Sequence, residues 1–147
     1  MAKEGRVFVD SSVFIAAILS PHGGSFYILT NLKDTYSFQT NEYVLEEVAR
    51  VLDIKFTEHK NLKNLFFLLL GTAEVEILST PKSKDLVQLK KILNKEDTPI
   101  LASAIANSDF LLTLDNDFFA KPCIDFSYKH GLVIVKPRDL LRNILAK

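Results

Sequence analysis

Two short apolar runs constrain this chain more than any other feature: Val7-Phe8-Val9 and Phe110-Leu111-Leu112-Thr113-Leu114, each closed by an aspartate, Asp10 and Asp115. Runs this short and this uniformly apolar read as strands buried on both faces, the habit of parallel sheets. Helical stretches separate them. Val13 to Leu19 follows the first strand, with Ser11 or Ser12 available as its cap, and Pro21-His22-Gly23-Gly24 breaks it. Ser25 to Leu32 reads as a second helix and Tyr36 to Gln39 as a short strand. Thr40 or Asn41 then caps a helix from Glu42 to Leu52, whose Val44, Leu45, Val48, Val51 and Leu52 form an amphipathic stripe.

The second half continues the alternation. Thr57 to Leu70 reads as a helix ended by Gly71, and Val75 to Leu78 as a strand. The spacing of Leu86, Leu89, Ile92 and Leu93 predicts a helix over 84–93. Asp97 stands before another helix with Pro99 in its first turn, where a missing N–H costs little. Asn116 to Ala120 is expected to be a helical turn, Leu132 to Val135 a strand, and Arg138 to Leu145 a closing helix. Strands alternating with helices throughout predict an α/β fold, one domain over residues 1–147, with a mainly parallel sheet covered on both faces.

Composition narrows the function. The formal net charge is zero, which argues against a protein that coats nucleic acid by charge alone but not against an enzyme acting on a phosphodiester. The charged start, passing straight into a strand, is not that of a signal peptide, and no apolar run approaches the ~20 residues of a membrane helix. The single cysteine, Cys123, rules out an internal disulfide and a cysteine-based zinc site, and points to the cytoplasm. His22, His59 and His130 show no metal-ligand spacing.

The acids carry the chemistry. In a parallel sheet all strands end on one edge, where ligands bind. Asp10 and Asp115 each end a strand there. The helix begun at Asp97 leads back into the strand at Phe110, so Asp97 lies at the same edge. Glu47 sits roughly 9 Å into its helix at ~1.5 Å per residue, but helical side chains lean toward the N-terminus and Glu is long. Glu46 projects about 100° away from Glu47, farther from the apolar stripe. Each has a structural alternative: Asp10, Asp97 and Asp115 as N-caps worth ~1 kcal/mol, Glu47 as a solvated helix residue. All four converging on one edge calls for a cation instead, since hard oxygen ligands suit Mg²⁺ or Mn²⁺.

These residues resemble a known family, the PIN domain, metal-dependent nucleases common as toxins of bacterial and archaeal toxin–antitoxin pairs. The likeness rests on five pieces in order: Val7 to Val13, Leu45 to Leu52, Asp97 to Ala104, Leu112 to Phe118, and Val133 to Leu141. It implies a three-layer α/β/α fold with a sheet of about five strands. It implies a catalytic set of Asp10, Glu47, Asp97 and Asp115, with Asp10, Asp97 and Asp115 as ligands of one or two Mg²⁺ or Mn²⁺ ions. Thr113 and Asp117 match a hydroxyl and an acid often beside the site, and Ser12 stands in a supporting place. Ser11-Ser12 departs from the Thr-Asn the family often has there. The implied activity is hydrolysis of single-stranded RNA to 5′-phosphate and 3′-hydroxyl ends, with Glu47 binding a second ion or positioning the water. Implied partners are an antitoxin protein and a second copy in a homodimer.

Other chemistries fit poorly. A dinucleotide site needs a glycine-rich first turn, and a haloacid-dehalogenase-like phosphatase needs Asp-x-Asp where position 12 is Ser. The remaining alternative is a catalytically inactive PIN-like module that binds RNA or protein, which should have lost an acid. The apolar run Leu65 to Leu70 is either core or a partner surface, in which case Phe66 or Phe67 contacts the partner.

Overall fold

The computed structural model describes residues 2–145; Met1, Ala146 and Lys147, at the ends of the span read above as one domain, lie outside them. Five strands, β1 (Arg6–Val9), β2 (Ser37–Asn41), β3 (Glu76–Leu78), β4 (Phe110–Leu112) and β5 (Val133–Val135), form one sheet. All its pairings are parallel and the order is β3-β2-β1-β4-β5. The centre follows the apolar runs: Val7, Phe8, Val9, Leu111 and Leu112 are fully buried. The chain steps outward from β1 through β2 to β3, then crosses back to β4 on the other side of β1. That reversal puts the crevice of an open α/β sheet between β1 and β4, where Asp10 and Asp115 emerge.

Helices α1 (Ser11–Leu19), α2 (Gly24–Asn31), α3 (Glu42–Lys55), α4 (Asn61–Thr72), α5 (Thr98–Asn107), α6 (Lys121–Lys129) and α7 (Pro137–Leu145) flank the sheet. α5 lies over β1, β2 and β4, while α1 packs on α2, α3 and α4. Asn41 caps α3 by accepting a hydrogen bond from the Val44 N–H at 2.9 Å, and Val44, Val48 and Leu52 turn inward as their spacing requires.

Several elements differ from the expectation. The helix expected over 84–93 is two 3₁₀ turns, Ser83–Leu86 and Leu89–Lys91. Leu86, Leu89 and Ile92 are spaced by three, a period that a 3₁₀ turn satisfies as well as an α-helix, and of these only Leu89 is fully inside. α4 begins at Asn61 rather than Thr57 and runs past Gly71 to Thr72. Its left-handed closing residue is Glu74 (φ 53), with the Val75 N–H reaching back to the Leu70 carbonyl at 3.0 Å. α6 has no counterpart in the sequence expectation, because its buried positions are Cys123 and Ser127, which make no apolar stripe. The run Leu65 to Leu70 divides: Phe66 is core, edge-on to Phe14 at 5.3 Å, whereas Phe67 and Leu68 are exposed.

Candidate metal centre

β4 stops short of Leu114 because hydroxyls capture its backbone. The Leu114 N–H donates to Ser12 Oγ and the Asp115 N–H to Thr113 Oγ1, each at 3.0 Å, so the chain leaves the ladder and swings Asp115 toward α1. The same hydroxyls donate onward to the Asp10 carboxylate, Ser12 at 2.8 Å and Thr113 at 2.7 Å. Asp10 itself is tied to the neighbouring strand, its N–H donating to the Leu112 carbonyl at 3.0 Å. Two hydroxyls therefore fix one carboxylate and the start of the loop that carries the other.

Ser11 and Ser12 open α1 but do not cap it with their side chains, and neither does Asp10. Ser12 serves Asp10. Ser11 donates to Glu47 of α3, a bond that local sequence does not reveal. Glu46, next along the helix, is exposed. Asp97 holds the N-cap position of α5 without a side-chain cap bond; its carboxylate instead faces Asn94 Nδ2 at 3.5 Å. Asn94 also donates to Asp117 at 2.8 Å, bridging the two acids. Asp115 does act as a cap, accepting from the Asp117 N–H at 2.9 Å at the start of the 3₁₀ turn Asn116–Phe119. Asn94 is thus a second site-lining residue that the sequence did not reveal, since its role depends on how the 3₁₀ segment before it folds.

The acids meet electrostatically. Burial pushes the Asp10 carboxyl up, against the hydrogen bonds of Thr113 and Ser12, and the Asp115 charge adds to the rise. Glu47 is raised by burial and then by Asp10 and Asp115, with Ser11 and Arg50 opposing. Asp97 is pushed up to about 7, first by burial and next by Asp115, with smaller contributions from Asp10 and Glu47. Carboxylate oxygens of Asp97, Asp115 and Asp117 all lie within 4.8 Å of one another. Among the described residues, no ion pair neutralises any of these five acids. His22, His59 and His130 are all exposed and stand outside that group.

This donor set fits a hard divalent cation: all oxygen, several negative charges, and the carboxyls of Asp10, Glu47 and Asp97 raised by burial and then by neighbouring acids. A model of one family matches residues 7–123, and it is described as PIN domain. The chain belongs to the PIN domain family. PIN domains are generally nucleases. Solved structures agree on the fold. That of VapBC2 from Rickettsia felis, bound to a DNA fragment from their promoter, is 17% identical over 89% of this chain and 98% of the other, with a TM-score of 0.64. PAE2754 from Pyrobaculum aerophilum is 14% identical over 97% of this chain and 90% of the other, with a TM-score of 0.63. No curated protein matches by sequence. No single helix is long and apolar enough to cross a membrane.

Proposed function

We propose that this PIN domain is a Mg²⁺- or Mn²⁺-dependent endoribonuclease that hydrolyses single-stranded RNA, acting in the cytoplasm as the toxin of a toxin–antitoxin pair. The observation that carries the reading is the group of Asp97, Asp115 and Asp117, three carboxylates within 4.8 Å of one another. Asp10, Asp97 and Asp115 are the proposed ligands, with Asp117 beside them. A divalent ion bound there would lower the pKa of a water and offset charge on the phosphate oxygens.

The chain's own residues supply the positioning. Ser12 and Thr113 hold Asp10 in one orientation, and Asn94 holds Asp97 and Asp117 relative to each other. Glu47, fixed by Ser11, orients the attacking water in line with the scissile bond. Attack on phosphorus breaks the bond to the 3′-oxygen, leaving a 5′-phosphate and a 3′-hydroxyl. The Rickettsia felis neighbour is part of a VapBC assembly, which supports an antitoxin partner here. The exposed Leu65, Phe67 and Leu68 of α4 supply apolar surface for that partner or for a second copy in a homodimer.

The purified protein is expected to cut single-stranded RNA with Mg²⁺ or Mn²⁺ and to stop in EDTA. Calorimetric titration with Mn²⁺ should show binding that Asp10→Asn and Asp115→Asn each weaken. RNA that stays intact at every metal concentration, while remaining bound, would identify an inactive binding module instead.

A further inference from the structure

The segment between β3 and α5 carries charge that the rest of the molecule does not. That segment, residues 79–97, holds five lysines, Lys82, Lys84, Lys90, Lys91 and Lys95, against three acids, Asp85, Glu96 and Asp97, in a chain whose formal net charge is zero, and two of those acids stand at its very end. All five lysines are exposed. Among the described residues, none of them enters an ion pair, although five other pairs form elsewhere on the surface. Leu89, 4% exposed, pins the segment down, and both 3₁₀ turns pack on α5. The lysines are therefore displayed from an anchored base.

The segment runs directly into the acids. Lys90, Lys91 and Asn94 line one wall of an open cleft of about 410 Å³, and Asn116 and Asp117 line the other. Asp117 belongs to the three-carboxylate group, so the cleft opens onto the candidate metal centre. On the far side of the segment, Lys90 and Lys95 border a second cleft of about 290 Å³ with Tyr43, Ser83 and one acid, Glu96. Lys90 stands between the two. A polyanion brought to a cluster of carboxylates is repelled by it, and its neighbouring phosphates need cations close at hand. Lysine meets a phosphate as a compact point charge on a flexible stem, without the bidentate geometry by which arginine reads bases.

We infer that Lys90, Lys91 and Lys95 form a phosphate-binding track that holds the backbone of single-stranded RNA beside the scissile bond, independently of base sequence. The inference rests on the nuclease reading for its substrate, but it is separable in experiment. An acidic protein segment would meet the same lysines, yet it would have no reason to seek a surface adjoining a group of acids.

Anisotropy of a 5′-labelled single-stranded RNA in EDTA, over a salt series, tests binding without cleavage; kcat and KM in Mn²⁺ test it with cleavage. Each lost phosphate contact should lower the slope of log affinity against log salt by ~0.7, which at 0.1 M salt is roughly fivefold in affinity. Lys90→Ala/Lys91→Ala should therefore bind roughly 25-fold more weakly with a slope smaller by ~1.4, and raise KM while leaving kcat within about twofold. The matched control Lys3→Ala/Lys129→Ala, which removes two exposed lysines outside the segment, should change neither. Active enzyme whose segment variant behaves like the control overturns the track and leaves the nuclease reading intact. RNA bound through these lysines but never cut does the reverse. Unchanged RNA binding with lost binding of polyglutamate assigns the surface to a protein partner, and overturns the track.

Discussion

Asn41 and Asp10 sit at the ends of adjacent strands, both buried, and they meet opposite fates. The Asn41 amide is complete: Oδ1 accepts from the Val44 N–H, and Nδ2 donates to the Pro99 carbonyl at 3.2 Å and to Ser103 Oγ at 2.8 Å. It binds the start of α3 to α5 and asks for nothing further. Asp10 has hydroxyl donors too, yet burial and the charge of Asp115 still raise its pKa, and the same repulsion extends to Glu47 and Asp97. A neutral side chain can satisfy all its needs within the fold, and doing so it fixes geometry. A buried carboxylate with further acids gathered around it carries a charge the surrounding protein does not balance, which is the property of a site for something that arrives from outside.

The contrast can be broken most sharply at Asp97. Asp97→Asn should cut RNA cleavage by ~100- to 1000-fold, the cost of removing one charge-stabilising group, as measured by kcat on a defined oligonucleotide. Wild-type rates would mean that the acids are not the reacting centre. Next in size is metal-linked stability. Mn²⁺ at about a hundred times its Kd should raise the unfolding free energy of the wild-type protein by ~2.7 kcal/mol, and Asp115→Asn should abolish most of that gain in urea melts.

On the other side of the comparison, Asn41→Ala should cost ~2 kcal/mol in metal-free buffer, because it removes a cap and leaves the Ser103 hydroxyl and the Val44 N–H short of partners. A loss under ~0.5 kcal/mol would place Asn41 with ordinary surface residues.

A last test concerns pH. Asp97 ionises near 3.8 when unfolded and near 7 when folded, so between these values the folded state holds a proton that the unfolded chain has released. Stability in EDTA should therefore be greatest below about pH 4 on this account and fall as pH rises toward 7, with Asp10 and Glu47 acting in the same direction. Asp97→Asn should flatten that decline. A wild-type protein whose metal-free stability instead rises from pH 4 to 7 would mean that burial and neighbouring charge do not hold these carboxyls above their ordinary range.

The fold was legible where hydrophobic period and position agreed. Val7–Val9, the α3 stripe and a cap at Thr40 or Asn41, which proves to be Asn41, each follow from local sequence, and the parallel edge then brings the strand-end acids together. It was less legible where one pattern fits two structures: Leu86, Leu89 and Ile92 satisfy either helical period, and α6 hides its inner face behind Cys123 and Ser127. Within the centre, the positions of Asp10, Glu47, Asp97 and Asp115 come from topology, which a sequence can imply. The partners Ser11 and Asn94 come from side-chain direction across elements far apart in sequence, which it cannot. Nor could it divide Leu65 to Leu70, since Phe66 and Phe67 differ only in which way a helix turns them.

The bond from Thr113 to Asp10 spans 103 positions of the chain. No fragment emerging early in synthesis contains both ends of it. A stretch that stops before residue 97 can carry Asp10 and Glu47 on β1 and α3 but none of Asp97, Asp115 and Asp117, and β4 must then insert beside β1. Contacts of such long separation close late, because the loop entropy must be overcome before they reward the chain. The acid group is thus a property of the assembled sheet, and no amino-terminal stretch that stops before β4 can hold it together.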